Sequence, residues 1–384
     1  MKNPVFSLAF AVTLSLLLSC KHQSELDVRE SDFLNKSEIT VQGVPVDVEM
    51  PLSIHGMIHC DSLNIVVTED PRGYVFVYSS NWKLLNIFGK KGRTRNEFIE
   101  SPDIHHYQIF KDADGHMLLP LSDRKAEKIK LMDITESLAR QRTVIADVRH
   151  FEFEESTRVY EEETDSYVYY MSSFRFLYLD NNIRHTVEMT NSDFYERFKN
   201  PIQYRIRHDS VFVEKPEILT AMEQLVGPKR KSKFSSVTYI HPHRNLVIEL
   251  FEHNDYIAFL DLDNDKRFFV HQKGSKTFDQ EIDTQIYNQD GESFTIPAFI
   301  TFTRAIPTDS FFIATYYGTS IDQTDIKPEA MFFDWDGNFI QSVRLGLLTQ
   351  YNVYDPQTKT LYGIDKNSEN EQLISFDLSP IINQ

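Results

Sequence analysis

Cysteine is almost absent from this chain of 384 residues, which has only Cys20 and Cys60. With Cys20 ending the N-terminal apolar run and set aside with it, Cys60 has no intramolecular partner, so a disulfide framework is excluded. Basic residues are also short: 40 Lys and Arg against 57 Asp and Glu give a formal charge of -17, which repels nucleic acid and anionic headgroups. No apolar run is long enough to cross a bilayer as a helix; Val5 to Leu18 falls short. No Gly-x-Ser-x-Gly elbow, phosphate loop or zinc-hydrolase helix occurs, and no cofactor or metal is expected. Glycine is sparse at 13 residues, whereas 29 Phe and 18 Tyr bias the chain toward pleated sheet.

What is present begins at the N-terminus. Lys2 precedes the apolar run, which ends in Leu17-Leu18-Ser19-Cys20. This resembles a bacterial lipoprotein signal, in which an aliphatic residue stands three before the cysteine and a small residue just before it. Leu17, Ser19 and Cys20 match; Leu18 stands where a smaller residue is commoner. The resemblance implies cleavage after residue 19, acylation of Cys20 and a lipid-anchored protein of the cell envelope, at the outer membrane. Residues 20–37 are polar and without period, and read as a flexible tether.

The remaining residues, 38–384, are short apolar or alternating runs separated by turn residues, the pattern of an all-β protein. Leu63 to Thr68, Tyr74 to Tyr78 and Leu84 to Phe88 form one three-stranded meander. Similar units follow at 104–132, 167–189, 237–271, 311–343 and 350–376. Six meanders predict a six-bladed β-propeller. The last unit lacks an outer strand and Ile39 to Val44 is a spare one, so the N-terminal strand is expected to close the last blade and remove an exposed edge. Asp193 to Phe198 and Glu217 to Val226, flanked by Pro201, Pro216 and Gly227, predict a short helical insertion between blades three and four.

At Ile87-Phe88-Gly89, continuing through Gly92 to Glu97-Phe98 and Ser101-Pro102-Asp103-Ile104, the chain resembles the inter-blade segment of NHL-like and TolB-like β-propellers. Thr94-Arg95-Asn96 replaces the usual Gly-Pro-Gly of that segment. The resemblance implies a TolB-like six-bladed propeller lipoprotein of Gram-negative bacteria, Bacteroidota type, and carries over no catalytic residue.

Several residue groups suggest chemistry and are better read as turns. Asp112 and Asp114, Asp334 and Asp336, and Asp261, Asp263 and Asp265 open like calcium loops but lack the remaining oxygen ligands. His241-Pro242-His243 reads as a turn rather than a metal pair, and His105-His106 would face opposite sides of a strand. Loops joining second to third strands gather at one end of a propeller. Here they carry Asp70, Arg72, Asp123, Arg124, His253, Asp255, Tyr317, Asp365 and Lys366, a mixed-charge set suited to orienting a polar ligand. The expected function is a binding or scaffolding module for an envelope protein, peptide or glycan. The alternative is an envelope hydrolase or lyase acting on a saccharide or peptide at the channel mouth.

Overall fold

The computed structural model describes residues 28–34, 39–104, 109–126, 128–150, 236–244, 246–261, 264, 266–276, 284–289, 292–320, 328–365 and 371–382. It also describes strand backbones at 158–161, 166–169, 174–179, 182–187, 205–207 and 210–212. The expected helices at 193–198 and 217–226, and the basic run at 229–233, lie outside these residues.

Apolar alternation and tight polar turns produce antiparallel meanders. The first blade is Ile54–Cys60, Leu63–Thr68, Val75–Ser79 and Leu84–Phe88. In the second, Asp103–Ile104 and Phe110–Lys111 both pair with Met117–Asp123 as a broken inner strand, followed by Lys128–Asp133 and Ile145–His150. Further blades are Ser236–Ile240, Leu246–Phe251, Tyr256–Asp261 and Lys266–Gln272, then Phe299–Pro307, Phe311–Ser320, Glu329–Asp334 and Phe339–Leu345. The last blade has Thr349–Asp355, Thr360–Asp365 and Leu373–Asp377.

First strands lie innermost and pack on one another: 299–307 against 349–355, 349–355 against 54–60, and 54–60 against 103–104. Last blade therefore meets first, and the radial arrangement of meanders is a β-propeller. The core lies between the faces of neighbouring sheets. One cluster joins the first and second blades through Val67, Val75, Phe98 and Leu121; another joins last to first through Met57, Phe76, Val353 and Leu373.

The N-terminal segment departs from expectation. Three strands, not one, run along outer blade edges. β1 (Val28–Ser31) lies parallel to 266–272, β2 (Thr40–Val41) parallel to 339–345, and β3 (Val44–Pro45) antiparallel to 373–377. β3 supplies the outer strand of the last blade, but of the spare segment Ile39 to Val44 only Val44 belongs to it; Thr40–Val41 lies on the blade before, so β1 and β2 add fifth strands to the two blades that precede the last. Residues 28–34, expected to be tether, are docked: the Phe33 ring is fully buried against Phe302, Phe333 and Phe339, and the Arg29 guanidinium sits 3.6 Å over the Phe268 ring. A single aromatic inside a polar stretch was the only mark of this docking.

Two further differences concern the early blades. Helix α1 (Ile134–Arg140) follows Asp133, whose carboxylate caps it by accepting from Glu136 N. Ser166–Tyr169, expected to pair forward with Phe174–Leu179, pairs back with Arg158–Glu161 instead; Phe174–Leu179 pairs with Asn182–Val187.

Candidate functional site

Second-to-third strand loops and inter-blade links share one end of the propeller, and that end carries an open groove of about 880 Å³ between the last and first blades. Its walls are residues 45–52, which link β3 to the first blade, with Asp70 to Arg72 and Glu371-Gln372. Residues 46–50 alternate: Val46, Val48 and Met50 pack on the core, so Asp47 and Glu49 turn outward. Val46 N donates to Leu373 O at 2.9 Å, tying this wall to the last blade.

Asp70 anchors the opposite wall. Its carboxylate is 3% exposed and accepts from Arg72 Nε and Nη2, each at 2.9 Å, from Arg72 N and from Leu52 N. Hydrogen bonding from the Arg72 guanidinium, outweighing burial, lowers the Asp70 pKa to about 2. Arg72 Nη1 also reaches Glu49 Oε1 at 2.8 Å, bridging the two walls. Glu371 accepts from Ile54 N at 3.2 and 3.3 Å. Asp47, Glu49, Asp70 and Glu371 thus line the groove together with Pro51 and Leu52, and Asp70 and Glu49 share the Arg72 guanidinium.

The expected site residues do not form one cluster. Asp70 and Arg72 lie in the groove. Asp123 is fully buried and paired with Lys130 at 3.0 Å, so it faces no substrate. The reason is local: the strand carrying Lys130 turns its side chain inward beneath the loop. Asp255 accepts from Tyr316 Oη at 2.8 Å and Ser275 Oγ at 2.7 Å, binding two blades together. His253 Nδ1 meets Phe299 O at 2.8 Å, and Tyr317 is half-buried, its phenol pKa raised by desolvation. Asp365 is half-buried, and its backbone N donates to Gln372 O. The Arg124 side chain and Lys366 lie outside the described residues.

The turn readings are explicit in the hydrogen bonds. Asp112 Oδ1 accepts from Asp114 N and His116 N, and Asp334 Oδ1 from Asp336 N and Asn338 N. His241 is buried on Trp335; its Nδ1 accepts from His243 N, leaving Nε2 to donate to Asp309 O. His105, His106, Asp263 and Asp265 lie outside the described residues, among which no group of three or more His, Cys, Asp or Glu is placed to hold a metal. Sequence reasoning missed Asp47, Glu49 and Glu371. The signal was Val44-Pro-Val-Asp-Val-Glu-Met-Pro51, where acid and apolar residues alternate between prolines.

No family model matches this chain, and no curated protein matches it. Among solved structures it is similar to a DUF4221 family member from Bacteroides vulgatus, with 9% identity, TM-score 0.48, and coverage of 89% of this chain and 98% of that one. A putative exported protein from Bacteroides fragilis is similar at 10% identity and TM-score 0.44, covering 91% and 98%. The β-propeller domain of Swd1 from Myceliophteria thermophila is similar at 8% identity and TM-score 0.39, covering 88% and 100%.

Proposed function

We propose that this protein is a lipid-anchored propeller of the cell envelope, six-bladed and TolB-like, that binds a segment of a partner protein in the groove between its last and first blades. The observation that carries the reading is the groove itself: acidic side chains beside Pro51 and Leu52, on walls already tied by Asp70, Arg72 and Glu371. A preorganised cleft of this kind loses little entropy on binding and favours an extended segment with apolar residues and a cation. Cys20 would carry the lipid, and two or more acyl chains would hold it stably at a membrane.

The test is site-specific photo-cross-linking in native envelopes. A photoreactive residue replacing Leu52, which is 60% exposed beside the groove, is expected to trap one discrete partner. The same residue replacing the distant, exposed Ile340 should trap none. Equal labelling from both positions, or none from Leu52, would overturn the proposal.

A further inference from the structure

The seam between last and first blades is apolar through Met57, Phe76, Val353 and Leu373 but polar at the end away from the groove. His59 stands there, one residue before the end of the first blade's inner strand, opposite Asp355, which ends the inner strand of the last blade. Their side chains are 6% and 2% exposed, and His59 Nε2 lies 3.8 Å from Asp355 Oδ1.

Hydrogen bonds fix the imidazole tautomer. Asn64 Nδ2 donates to Ser79 O at 3.1 Å and Ser80 O at 3.4 Å, so the atom it turns to His59 Nδ1, at 2.8 Å, is its oxygen. An acceptor there places a proton on Nδ1. In the neutral ring Nε2 is therefore a buried acceptor without a hydrogen-bond partner, and it faces a carboxylate oxygen. Asp355 is held in that position, because Oδ1 also accepts from Gln357 N at 2.8 Å. A water joining two acceptors would keep them about 4.5 Å apart, so the gap is too short for a bridge. A second proton on the ring turns the same contact into a charge-assisted hydrogen bond, after a closing movement of about 1 Å.

A histidine at the corresponding place in another seam needs no such proton. Between the 236–272 and 299–345 blades, His241 Nε2 donates to Asp309 O at 3.1 Å and Trp335 Nε1 to Thr308 O at 3.0 Å. Around His59, Asp355, Tyr354 and Tyr362 come from the last blade and Tyr78 from the first, while Arg304 borders the same cavity of about 60 Å³. Asp61 and Lys111, on the turn beyond, pair with each other at 2.7 Å. Burial pushes the Tyr78 and Tyr354 phenols to about 12, and imidazole is the side chain whose charge changes between pH 5 and 8.

We infer that His59 and Asp355 form a proton-operated clasp on the seam between last and first blades, joined when the imidazole is charged and unjoined when it is neutral. Its contribution to stability is present in mild acid and is lost as pH rises from 5 to 8. The strand that carries His59 begins at Ile54, whose N the groove's Glu371 holds, so mild acid firms the joint on which the groove is built.

The experiment uses the full chain with nitrogen-15 in its histidines. Long-range proton-nitrogen spectra, assigned through the signals lost in His59→Gln, should show both ring nitrogens protonated at pH 5.5 and only Nδ1 at pH 8. Asp355→Asn keeps the acceptor for Gln357 N and offers Nε2 an amide donor. Its urea midpoint should fall below the native one at pH 5.5 and equal or exceed it at pH 8, a crossing that should vanish in the His59→Gln background. A gap of the same sign and size at both pH values, a bare Nε2 throughout, or a proton on Nε2 at pH 8 would overturn the clasp. Should a variant not fold, the native spectra alone decide it.

Discussion

Lys130 Nζ stands 3.0 Å from Asp123 Oδ2 with both side chains withdrawn from water. The ammonium also contacts Glu97 O and lies 4.7 Å over the Phe98 ring, while Asp123 accepts from Ile99 N. The pair fastens the inter-blade Glu97-Phe98 segment to the second blade. Removing one member strands a buried charge, so Asp123→Leu or Lys130→Met should each lower unfolding stability by about 3 kcal/mol or more. The double variant Asp123→Leu with Lys130→Met should recover most of the loss. Urea denaturation of the four proteins checks this; additive losses would refute a coupled pair.

Phe33 is the second anchor. Its ring meets Phe333 edge-on at 5.5 Å and Phe302 at 5.9 Å, in the seam between the 236–272 and 299–345 blades. Phe33→Ala should cost about 3 kcal/mol by the usual scale for a buried ring, less if β1 detaches on its own. The discriminating readout is protease cleavage within 28–34, expected to accelerate in the variant before the blades unfold. Unchanged cleavage would mean that the strand ladder with 266–272, not the ring, holds the segment.

Alternating runs and Asp-Gly turns made the meanders legible, because a half-buried strand must alternate and a tight hairpin needs those turn residues. Inner strands were harder to see. Ile54–Cys60 and Phe299–Pro307 mix apolar residues with His59, Thr303 and Arg304, and both carry irregular register. Helix α1 did have its signature, Asp133 with Glu136 three residues on, which is the capping pattern. The site was legible only at Asp70 and Arg72, since whether a loop carboxylate faces solvent or a buried lysine depends on how the neighbouring strand packs beneath it.

Acid titration tests the Asp70 to Arg72 contact. The folded carboxyl titrates near 2, below the ordinary aspartate value of about 3.9, so its contribution is present above pH 4 and is lost as pH falls through 2. Arg72→Met should therefore be less stable than the native protein at pH 5 to 7, with the gap closing toward pH 2. Denaturation at a series of pH values, with Asp70 followed by carboxyl NMR, reads both. A gap that persists at pH 2 would assign the effect to packing of the arginine on Phe76, 5.1 Å away.

Cys60 ends the inner strand of the first blade, and its thiol is unpaired and partly buried. Burial raises its pKa to about 11, with the adjacent Asp61 carboxylate adding to the effect and Lys111 opposing it. Since the thiolate is the reactive form, a neutral alkylating reagent at pH 8 should modify the native protein far more slowly than the urea-unfolded chain. Asp61→Asn should accelerate the native reaction modestly. Lys111→Met, which frees the Asp61 charge from its 2.7 Å partner, should slow it further. Alkylation of the native thiol at the unfolded rate would show that the strand end opens readily, and the first blade would then be frayed at its base rather than closed.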